Sequence, residues 1–189
     1  MPLSDPPRPE SKTMIDELKS LAVKPKMLTG DSLAIAREVS TKVAIGDKIY
    51  RMSELSKVEE SGQQKVIMEN DGFAEVYPED KYRIVKILQS RGLIVGMTGD
   101  GVNDAPALKQ AEVGIAVQNS TDAAKASSSI VLTEAGMRVI IDAIKESRRI
   151  YQRLLTWVLN RVTRTMQFLG LLAIGFFWLH VPLLSVLAK

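Results

Sequence analysis

The residues best suited to chemistry lie in one loop, residues 98–106, which reads Thr-Gly-Asp-Gly-Val-Asn-Asp-Ala-Pro. The loop carries two carboxylates, Asp100 and Asp104, and its glycines let the backbone approach a ligand closely. Mg²⁺ prefers such hard oxygen ligands, usually one or two carboxylates completed by phosphate and water. The loop therefore predicts a site for Mg²⁺ and phosphate. The alternative is a turn whose Asp and Asn side chains only satisfy neighbouring backbone groups.

Two further residues could contact phosphate. Lys81 falls in the first turn of a predicted helix, where a cation opposes the helix dipole, so its charge is more useful to a ligand such as phosphate. Thr29 stands at the end of a predicted strand beside Gly30, where its hydroxyl and the neighbouring N–H groups could donate to phosphate oxygens. The ordinary alternatives are a solvated surface lysine and a helix-capping threonine.

The composition excludes several other chemistries. The 189 residues contain no cysteine and one histidine, His180, which removes disulfides, thiolate metal sites, multi-histidine metal sites and most catalytic triads. Hydrophobic residues make up 46% and charged residues 25%, a balance that supports a packed core. Catalysis or binding in this chain must therefore rely on carboxylates, hydroxyls and lysine.

Strands and helices alternate through the first two thirds of the chain. After a proline-rich, extended lead-in over residues 1–10, the pattern predicts helices over 11–22, 33–39, 78–91 and 106–111, and strands over 26–28, 73–77, 93–97, 113–117 and 130–132. Residues 41–72 predict an irregular insertion. Such alternation is typical of an α/β fold with a parallel sheet and helices on both faces.

The predicted sheet positions the candidate residues. Residues 93–97 form a continuous apolar run, which predicts a strand covered on both faces. Ligands bind parallel sheets at the carboxyl ends of their strands, so the loops after Leu28 and Met97 are where chemistry is expected. Both loops begin with the same tripeptide, Thr-Gly-Asp.

The C-terminal part has a different character. Residues 138–189 carry a net charge of +6, against −3 for residues 1–137, and a helical pattern runs without a breaker from 138 through 157 and on toward 178. Residues 168–188 carry no formal charge, and five arginines precede them: Arg148, Arg149, Arg153, Arg161 and Arg164. The pattern predicts a stalk entering the membrane, with the N-terminal side in the cytoplasm. The alternative is a buried core helix.

Two classes of protein are disfavoured by the same patterns. The basic residues precede an apolar tail and do not interleave with aromatic residues over a folded face, so we expect no nucleic-acid binding. The N-terminus has no apolar signal region, which argues against a secreted protein.

Four motifs together resemble P-type cation-transporting ATPases. In chain order they are Asp5-Pro6-Pro7-Arg8, Lys26-Met27-Leu28-Thr29-Gly30-Asp31, Pro78-Glu79-Asp80-Lys81 and Met97-Thr98-Gly99-Asp100-Gly101-Val102-Asn103-Asp104-Ala105-Pro106. Smaller details, such as Asp71-Gly72-Phe73-Ala74 and Tyr151-Gln152-Arg153, are most similar to the plasma-membrane proton-pump branch.

The resemblance implies a haloacid-dehalogenase-like phosphorylation domain in which an aspartate accepts the γ-phosphoryl group of MgATP. By motif position, Asp100 would bind Mg²⁺, Asp104 would hold the loop and support the metal site, and Lys81 and Thr29 would contact the aspartyl phosphate. Gly30, Asp31, Gly101, Asn103, Asp5 and Arg8 would lie near the nucleotide and the hinge. Mg²⁺ and ATP would be the cofactors of the complete pump.

The sequence also departs from that family. The pentapeptide Asp-Lys-Thr-Gly-Thr, which holds the phosphorylated aspartate, does not occur in it, and neither does the actuator motif Thr-Gly-Glu-Ser. Asn160, Arg161 and Arg164 stand where an uncharged membrane helix is expected. We therefore expect a chain that forms no phosphoenzyme and transports no ion on its own.

These observations predict four regions in a piece of an ATP-driven cation pump, most similar to a proton pump. They are a partial phosphorylation domain (1–135), a stalk helix (136–156), a membrane helix (157–179), and a loop with the start of another membrane helix (180–189). The expected partners are the lipid bilayer and the remaining pump domains, at the cell membrane with the soluble part in the cytoplasm. Two alternatives stay open: a non-catalytic, membrane-anchored Mg²⁺/phosphate-binding module, and a soluble haloacid-dehalogenase-like phosphatase.

Overall fold

The computed structural model describes residues 9–134 and 136–179. The lead-in over residues 1–8 and the predicted loop and helix start over 180–189 lie outside the described residues. The chain divides into two compact units, residues 1–141 and 142–189.

The first unit alternates strands and helices. Its strands are β1 (Met27–Leu28), β2 (Ile49–Arg51), β3 (Gly72–Ala74), β4 (Gly96–Gly99), β5 (Val113–Ala116) and β6 (Ile130–Val131). Its helices are α1 (Ser11–Ser20), α2 (Leu33–Lys42), α3 (Met52–Leu55), α4 (Glu60–Glu69), α5 (Pro78–Ser90), α6 (Ala105–Gln110) and α7 (Asp122–Ser127), with a 3₁₀ turn at Val102–Asp104. The long helix α8 (Arg138–Leu179) begins in this unit.

All strand pairs in the described residues are parallel, as the sequence predicts, but they form two sheets of three strands. The orders are β1-β3-β2 and β4-β5-β6, so β1 and β4 each have one paired neighbour. In the first sheet Met27 and Ile49 both stand opposite Gly72, and in the second Gly96 stands opposite Val113. The parallel α/β prediction is confirmed, and the carboxyl ends of β1 and β4 carry the two Thr-Gly-Asp loops.

Helices cover both faces of the first sheet. Successive strand residues point to opposite faces, so apolar side chains of one strand pack against helices on both sides. Phe73 is fully buried in a cluster with Leu55, Ile67 and Ile84, from α3, α4 and α5. Its neighbour Ala74 packs in a separate cluster with Ala36 of α2. In the second sheet, Met97 packs with residues of α5, α6 and α7, among them Val85, Leu108 and Ala124.

The prediction of an irregular insertion over 41–72 was wrong. This stretch contains β2, α3 and α4. β2 pairs with β3, and Ile67 of α4 is fully buried against the α5 side of the sheet. The strand is only three residues long, and its partner comes more than 20 residues later, so the local pattern is weak although the tertiary packing is complete.

The predicted strand limits also needed correction at two places. Residues 73–77 were expected to be a strand, but β3 ends at Ala74 because Glu75 takes a positive φ of 56°. Residues 93–97 were expected to be covered on both faces, but β4 begins at Gly96, and Ile94 is 83% exposed. β4 is an edge strand in the described part of the chain, so the apolar run before it lacks the cover that its composition predicts.

The α5 prediction was the most accurate. Pro78 stands at the first helical position, the Asp80 carboxylate accepts the Tyr77 N–H at 3.0 Å, and the helix ends at Ser90 with Gly92 just beyond it at a φ of 74°. These are the ordinary start and stop signals of a helix. They place Lys81 in the first turn, as predicted.

The second unit consists of α8 from Asp142 to Leu179 among the described residues. The predicted uninterrupted helix is confirmed over its described length of 42 residues. Within 9–134 and 136–179, however, no helix combines the length and the apolar composition needed to cross a bilayer. The helical state of residues 157–179 is therefore confirmed, and their crossing of a membrane stays a prediction.

Candidate functional site

The site is built at the carboxyl end of β4, where the loop 98–106 folds back on itself. After β4, one 3₁₀ turn leads into α6. This turn brings the Asp104 side chain back to the backbone of the residues just before the turn. Asp104 Oδ2 accepts the N–H groups of Asp100 at 3.2 Å and Gly101 at 3.4 Å. The carboxylate of Asp104 therefore fixes the backbone of the loop.

Lys81 contacts the same carboxylate. Its Nζ lies 2.6 Å from Asp104 Oδ1, and the two side chains are only 20% and 7% exposed. An ammonium has three donors, so two of them remain for further acceptors. Lys81 stands in the first turn of α5, where its charge opposes the helix dipole, and its ion pair with a residue 23 positions away offsets that unfavourable placement.

The Asp104 carboxylate is thus engaged on both oxygens, whereas Asp100 is exposed and its carboxylate makes no hydrogen bond or ion pair within the described part of the chain. No group of three or more metal-ligating side chains occurs within residues 9–134 and 136–179. A Mg²⁺ site here would have Asp100 as its available carboxylate and would need phosphate, water or another group for the other ligands. The donor set fits a weak, water-rich Mg²⁺ site.

Gly99 is required by this geometry. A Cβ added there would lie 2.5 Å from Asp104 Cβ and 2.8 Å from its Cγ. Side chains essentially never approach that closely, so any other residue at position 99 would displace the Asp104 carboxylate from Lys81 and from the loop backbone.

In the other loop predicted to contact phosphate, which follows β1, the polar side chains hydrogen-bond within the loop. Thr29 Oγ1 donates to Asp31 Oδ2 at 2.7 Å and accepts the Asp31 N–H at 3.1 Å. Thr29 O also accepts the Val76 N–H at 3.0 Å, which ties this loop to the segment that leads into α5. Thr29, Gly30 and Asp31 are thereby linked to the helix that carries Lys81, but no hydrogen bond joins them to Asp100 or Asp104.

The remaining predicted site residues differ in what can be said of them. Gly101 is half-buried in the β4 loop and Asn103 is exposed in the 3₁₀ turn, with no side-chain hydrogen bond in the described residues. Asp5 and Arg8 lie outside the described residues. Their predicted nucleotide contacts stay predictions.

One neighbouring segment was missed. The Thr121 N–H donates to Asp100 O at 2.9 Å, so the start of α7 supports the backbone of the Asp100 loop. Thr121 is also the N-cap of α7, and its side chain accepts the Ala124 N–H at 3.4 Å. The sequence signal was present as a threonine followed by aspartate before a run rich in alanine, which is typical of a helix start, although nothing local indicates contact with Asp100.

Comparisons with known proteins support a single family. Residues 1–112 match the haloacid dehalogenase-like hydrolase family, and a second match to haloacid dehalogenase-like hydrolases covers residues 82–144. The chain is 51% identical over 175 residues to a protein named as a cation-transporting ATPase of Methanocaldococcus jannaschii, covering 89% of this chain and 22% of that protein.

Eukaryotic proteins are similar at the same level. Plasma membrane ATPase 2 of Saccharomyces cerevisiae is 44% identical over 90% of this chain and 19% of its own length, and a plasma membrane ATPase of Dictyostelium discoideum is 47% identical over 88% and 16%. The chain therefore spans about a fifth of the length of these relatives.

A solved structure shares the fold. It is the catalytic domain of the CPx-ATPase CopB-B, with a TM-score of 0.58 and 31% identity, covering 75% of this chain and 47% of the solved chain.

Proposed function

Because this chain belongs to the haloacid dehalogenase-like hydrolase family and its homologues are P-type cation-transporting ATPases, we propose that it provides the Mg²⁺- and phosphate-binding part of a cation pump's phosphorylation domain. We propose a proton as the cation, because residues 71–74 and 151–153 resemble the plasma-membrane proton-pump branch. The observation that carries the proposal is the Lys81–Asp104 pair of 2.6 Å, which holds the β4 loop and leaves the Asp100 carboxylate available.

In this proposal each residue has a separate task. Asp100 would hold Mg²⁺, and the ion would supply positive charge beside the phosphoryl group. Lys81 keeps one donor on Asp104 and directs the other two at phosphoryl oxygens, where a positioned positive charge favours phosphoryl transfer. Asp104 positions both Lys81 and the loop backbone, and through that loop it supports the metal site.

Thr29 would contribute after a change of partner. Its hydroxyl proton is directed at Asp31 in the present structure, so it must rotate to donate to a phosphoryl oxygen. Mg²⁺ and ATP would be the cofactors of the complete pump.

The phosphorylated aspartate would be supplied by a segment other than these 189 residues, since Asp-Lys-Thr-Gly-Thr is absent from them. The supporting feature is that β1 and β4, whose loops carry the candidate residues, each pair on one side only among the described strands. An unpaired strand edge offers backbone donors and acceptors to another strand. We expect the chain alone to incorporate no acid-stable, hydroxylamine-sensitive label from radiolabelled ATP.

Membrane attachment through the C-terminal part belongs to the same proposal. Its support is the uncharged run 168–188 with five arginines before it, and the large apolar side chains exposed along α8, such as Trp157 and Phe168. Carbonate-resistant sedimentation of the full chain with membranes, in the presence of the pump's other helices, tests it. Extraction of the chain by carbonate under those conditions would contradict membrane attachment.

The metal assignment is tested by titrating the full chain with Mg²⁺ in the presence of inorganic phosphate, followed by calorimetry. We expect weak affinity, on the order of millimolar, because one carboxylate and mostly water surround the ion. Asp100→Asn should abolish binding. Asp16→Asn, at an exposed position of α1, is the matched control and should leave it unchanged. Micromolar binding that survives Asp100→Asn would overturn the assignment.

A further inference from the structure

A groove lies between α4 and α5, in the first compact unit. It has a volume of about 570 Å³ and is lined by Gln63 of α4 and by Tyr82, Arg83, Lys86, Ile87 and Ser90 of α5. At 100° per residue, these α5 positions cluster on the face of the helix opposite Lys81. The groove is thus separate from the candidate site for Mg²⁺ and phosphate.

A buried amide orients the central cation of the groove. Gln63 is 4% exposed, and its Oε1 accepts a hydrogen bond from Arg83 Nη2 at 2.6 Å. The other end of the amide, Nε2, donates to Val58 O at 2.7 Å, so Gln63 is fixed at both ends. Its amide is neutral, and it therefore orients the guanidinium without compensating its charge.

The two cations of the groove keep their charge uncompensated. Within the part of the chain that the structure describes, neither Arg83 nor Lys86 has a carboxylate within 4.0 Å. Glu79 stands one turn before Arg83 on α5, a spacing that commonly forms an ion pair, yet Arg83 turns to Gln63. Lys86 Nζ lies 5.4 Å from the centre of the Tyr82 ring. Both charges remain open to an anion.

The floor of the groove is apolar. Ile87 is half-buried and packs against the core cluster that contains Phe73 and Ile84, and the Tyr82 ring borders it. Cations beside an apolar and aromatic surface suit a ligand that carries acidic and apolar groups side by side. The groove runs between two helices and is larger than a single ion needs, so it has room for several residues of an extended segment.

We propose that the α4–α5 groove binds an acidic segment of a partner protein, with a carboxylate on Arg83 and Lys86 and an apolar side chain against Ile87 and Tyr82. Arg83 can bind a carboxylate with two of its remaining donors, because Gln63 uses only one of its N–H groups. The proposal does not depend on the phosphorylation-domain assignment, since it uses none of the residues of that site.

The first test measures binding of a fluorescein-labelled peptide of alternating glutamate and leucine to the full chain by fluorescence anisotropy. A peptide of alternating glutamine and leucine is the matched control, and we expect it to bind at least about tenfold more weakly, the equivalent of one lost charge-assisted hydrogen bond. Raising NaCl to about 0.5 M should weaken the acidic peptide, because partly exposed charges are screened. Equal binding of the two peptides would overturn the proposal.

The second test locates the binding. The double variant Arg83→Gln/Lys86→Gln should bind the acidic peptide about tenfold more weakly. Lys12→Gln/Lys109→Gln changes the net charge by the same amount at exposed lysines of α1 and α6, and should bind as the parent chain does. Equal losses in both double variants would show non-specific attraction and overturn the groove assignment.

A third test uses the unmodified chain, so its result does not depend on whether the variants fold. Carbodiimide coupling of the acidic peptide to the unmodified chain should place the peptide on Lys86, in preference to Lys12 and Lys109, when the products are mapped by mass spectrometry. Coupling spread evenly over the lysines would contradict the site. Displacement of the peptide by inorganic phosphate or ATP at lower concentrations than by unlabelled peptide would assign the groove to a small phosphate ligand and overturn the peptide proposal.

Discussion

The same three residues, Thr-Gly-Asp, stand at the carboxyl ends of β1 and β4; residues 29–31 follow β1, whereas Thr98 and Gly99 are the last two residues of β4 and Asp100 is the first residue after it. In the β1 loop, Thr29 and Asp31 satisfy each other, with a hydroxyl-to-carboxylate distance of 2.7 Å. In the β4 loop, the Asp100 carboxylate has no hydrogen-bond partner within the described part of the chain, and the Asp100 N–H donates to Asp104 at 3.2 Å. The same tripeptide at the carboxyl ends of two parallel strands therefore makes different hydrogen bonds.

The two loops differ because of the residue that stands four positions after each aspartate, and because in the β4 loop that residue pairs with a lysine distant in the sequence. Four residues after Asp100 stands Asp104, which is buried and paired with Lys81, whereas four residues after Asp31 stands Ile35, which is 52% exposed. A second carboxylate takes over the backbone-holding role in the β4 loop. The first aspartate of that loop is thereby released for a ligand.

The largest expected effect is on stability, from removal of that second carboxylate. Asp104→Ala leaves the Lys81 ammonium without a partner in a mostly buried site and removes the acceptor of two loop N–H groups, at a cost of about 3–5 kcal/mol. Native-state hydrogen exchange of peptides from residues 9–134 measures it. Asp31→Ala, in the exposed loop, should cost less than about 1 kcal/mol. Equal costs would remove the distinction between the loops.

The middle glycines of the two tripeptides offer a matched pair. Gly99→Ala brings a Cβ to 2.5 Å from Asp104 Cβ, whereas at Gly30 the nearest atom, Val76 O, would be 3.9 Å away. We expect Gly99→Ala to destabilise the α/β unit by about 1–3 kcal/mol and Gly30→Ala to be nearly neutral. Thermal unfolding followed by circular dichroism compares them. Gly99→Ala should also weaken Mg²⁺ binding in the calorimetric titration.

For the first residues of the two tripeptides, the larger loss of stability is expected after β1, at Thr29, and the smaller one at Thr98. Thr29→Val removes two hydrogen bonds to Asp31, while Thr98 is exposed and its hydroxyl has no hydrogen-bond partner among the described residues. Thr29→Val should cost about 0.5–1.5 kcal/mol and Thr98→Val close to nothing, as measured by denaturant unfolding. A larger loss of stability for Thr98→Val than for Thr29→Val would contradict this expectation and show that the Thr98 hydroxyl contributes to stability.

The smallest expected effect concerns how the two strands begin. Glu112 accepts the Val95 N–H at 2.8 Å just before β4, and this backbone hydrogen bond lowers the pKa of its carboxyl below the ordinary 4.5. Before β1, the corresponding contacts come from a cation, since Lys26 Nζ donates to the carbonyl oxygens of Met68 and Asn70.

A lowered carboxyl pKa gives a defined pH dependence. The stabilisation from Glu112 is complete above pH 4.5, where the unfolded carboxyl is also ionised, and it disappears as the pH falls through the lower folded-state pKa. The protection of the Val95 amide against hydrogen exchange, relative to the intrinsic rate at each pH, should therefore fall in acid more than protection near β1. In Glu112→Gln this acid-dependent difference should be lost. An unchanged pH profile in that variant would assign the acid sensitivity to another group.

Local sequence signals were sufficient where the structure depends on neighbours within a few residues. Pro78 at a helix start, Gly92 beyond its end and the alternation of apolar segments determined α5 and the parallel α/β class, because φ restriction and hydrophobic period act within one element. The candidate loop 98–106 was also identified from its own composition. The elements β2, α3 and α4 were not identified from the sequence, because their few apolar residues give no clear local pattern and form a core only when they pack on β3 and α5.

The assignment of tasks within the site depended on the tertiary structure. Sequence alone treats Asp100 and Asp104 as two similar carboxylates and Lys81 as a cation in an unfavourable place. The structure joins Lys81 to Asp104 across 23 positions, whereas the Asp100 carboxylate has no hydrogen bond or ion pair among the described residues, and it joins Arg83 to Gln63 across 20. Ion pairs and hydrogen bonds fall off within a few ångströms, so which polar groups meet is decided by how helices and strands pack, and residue types alone do not encode it.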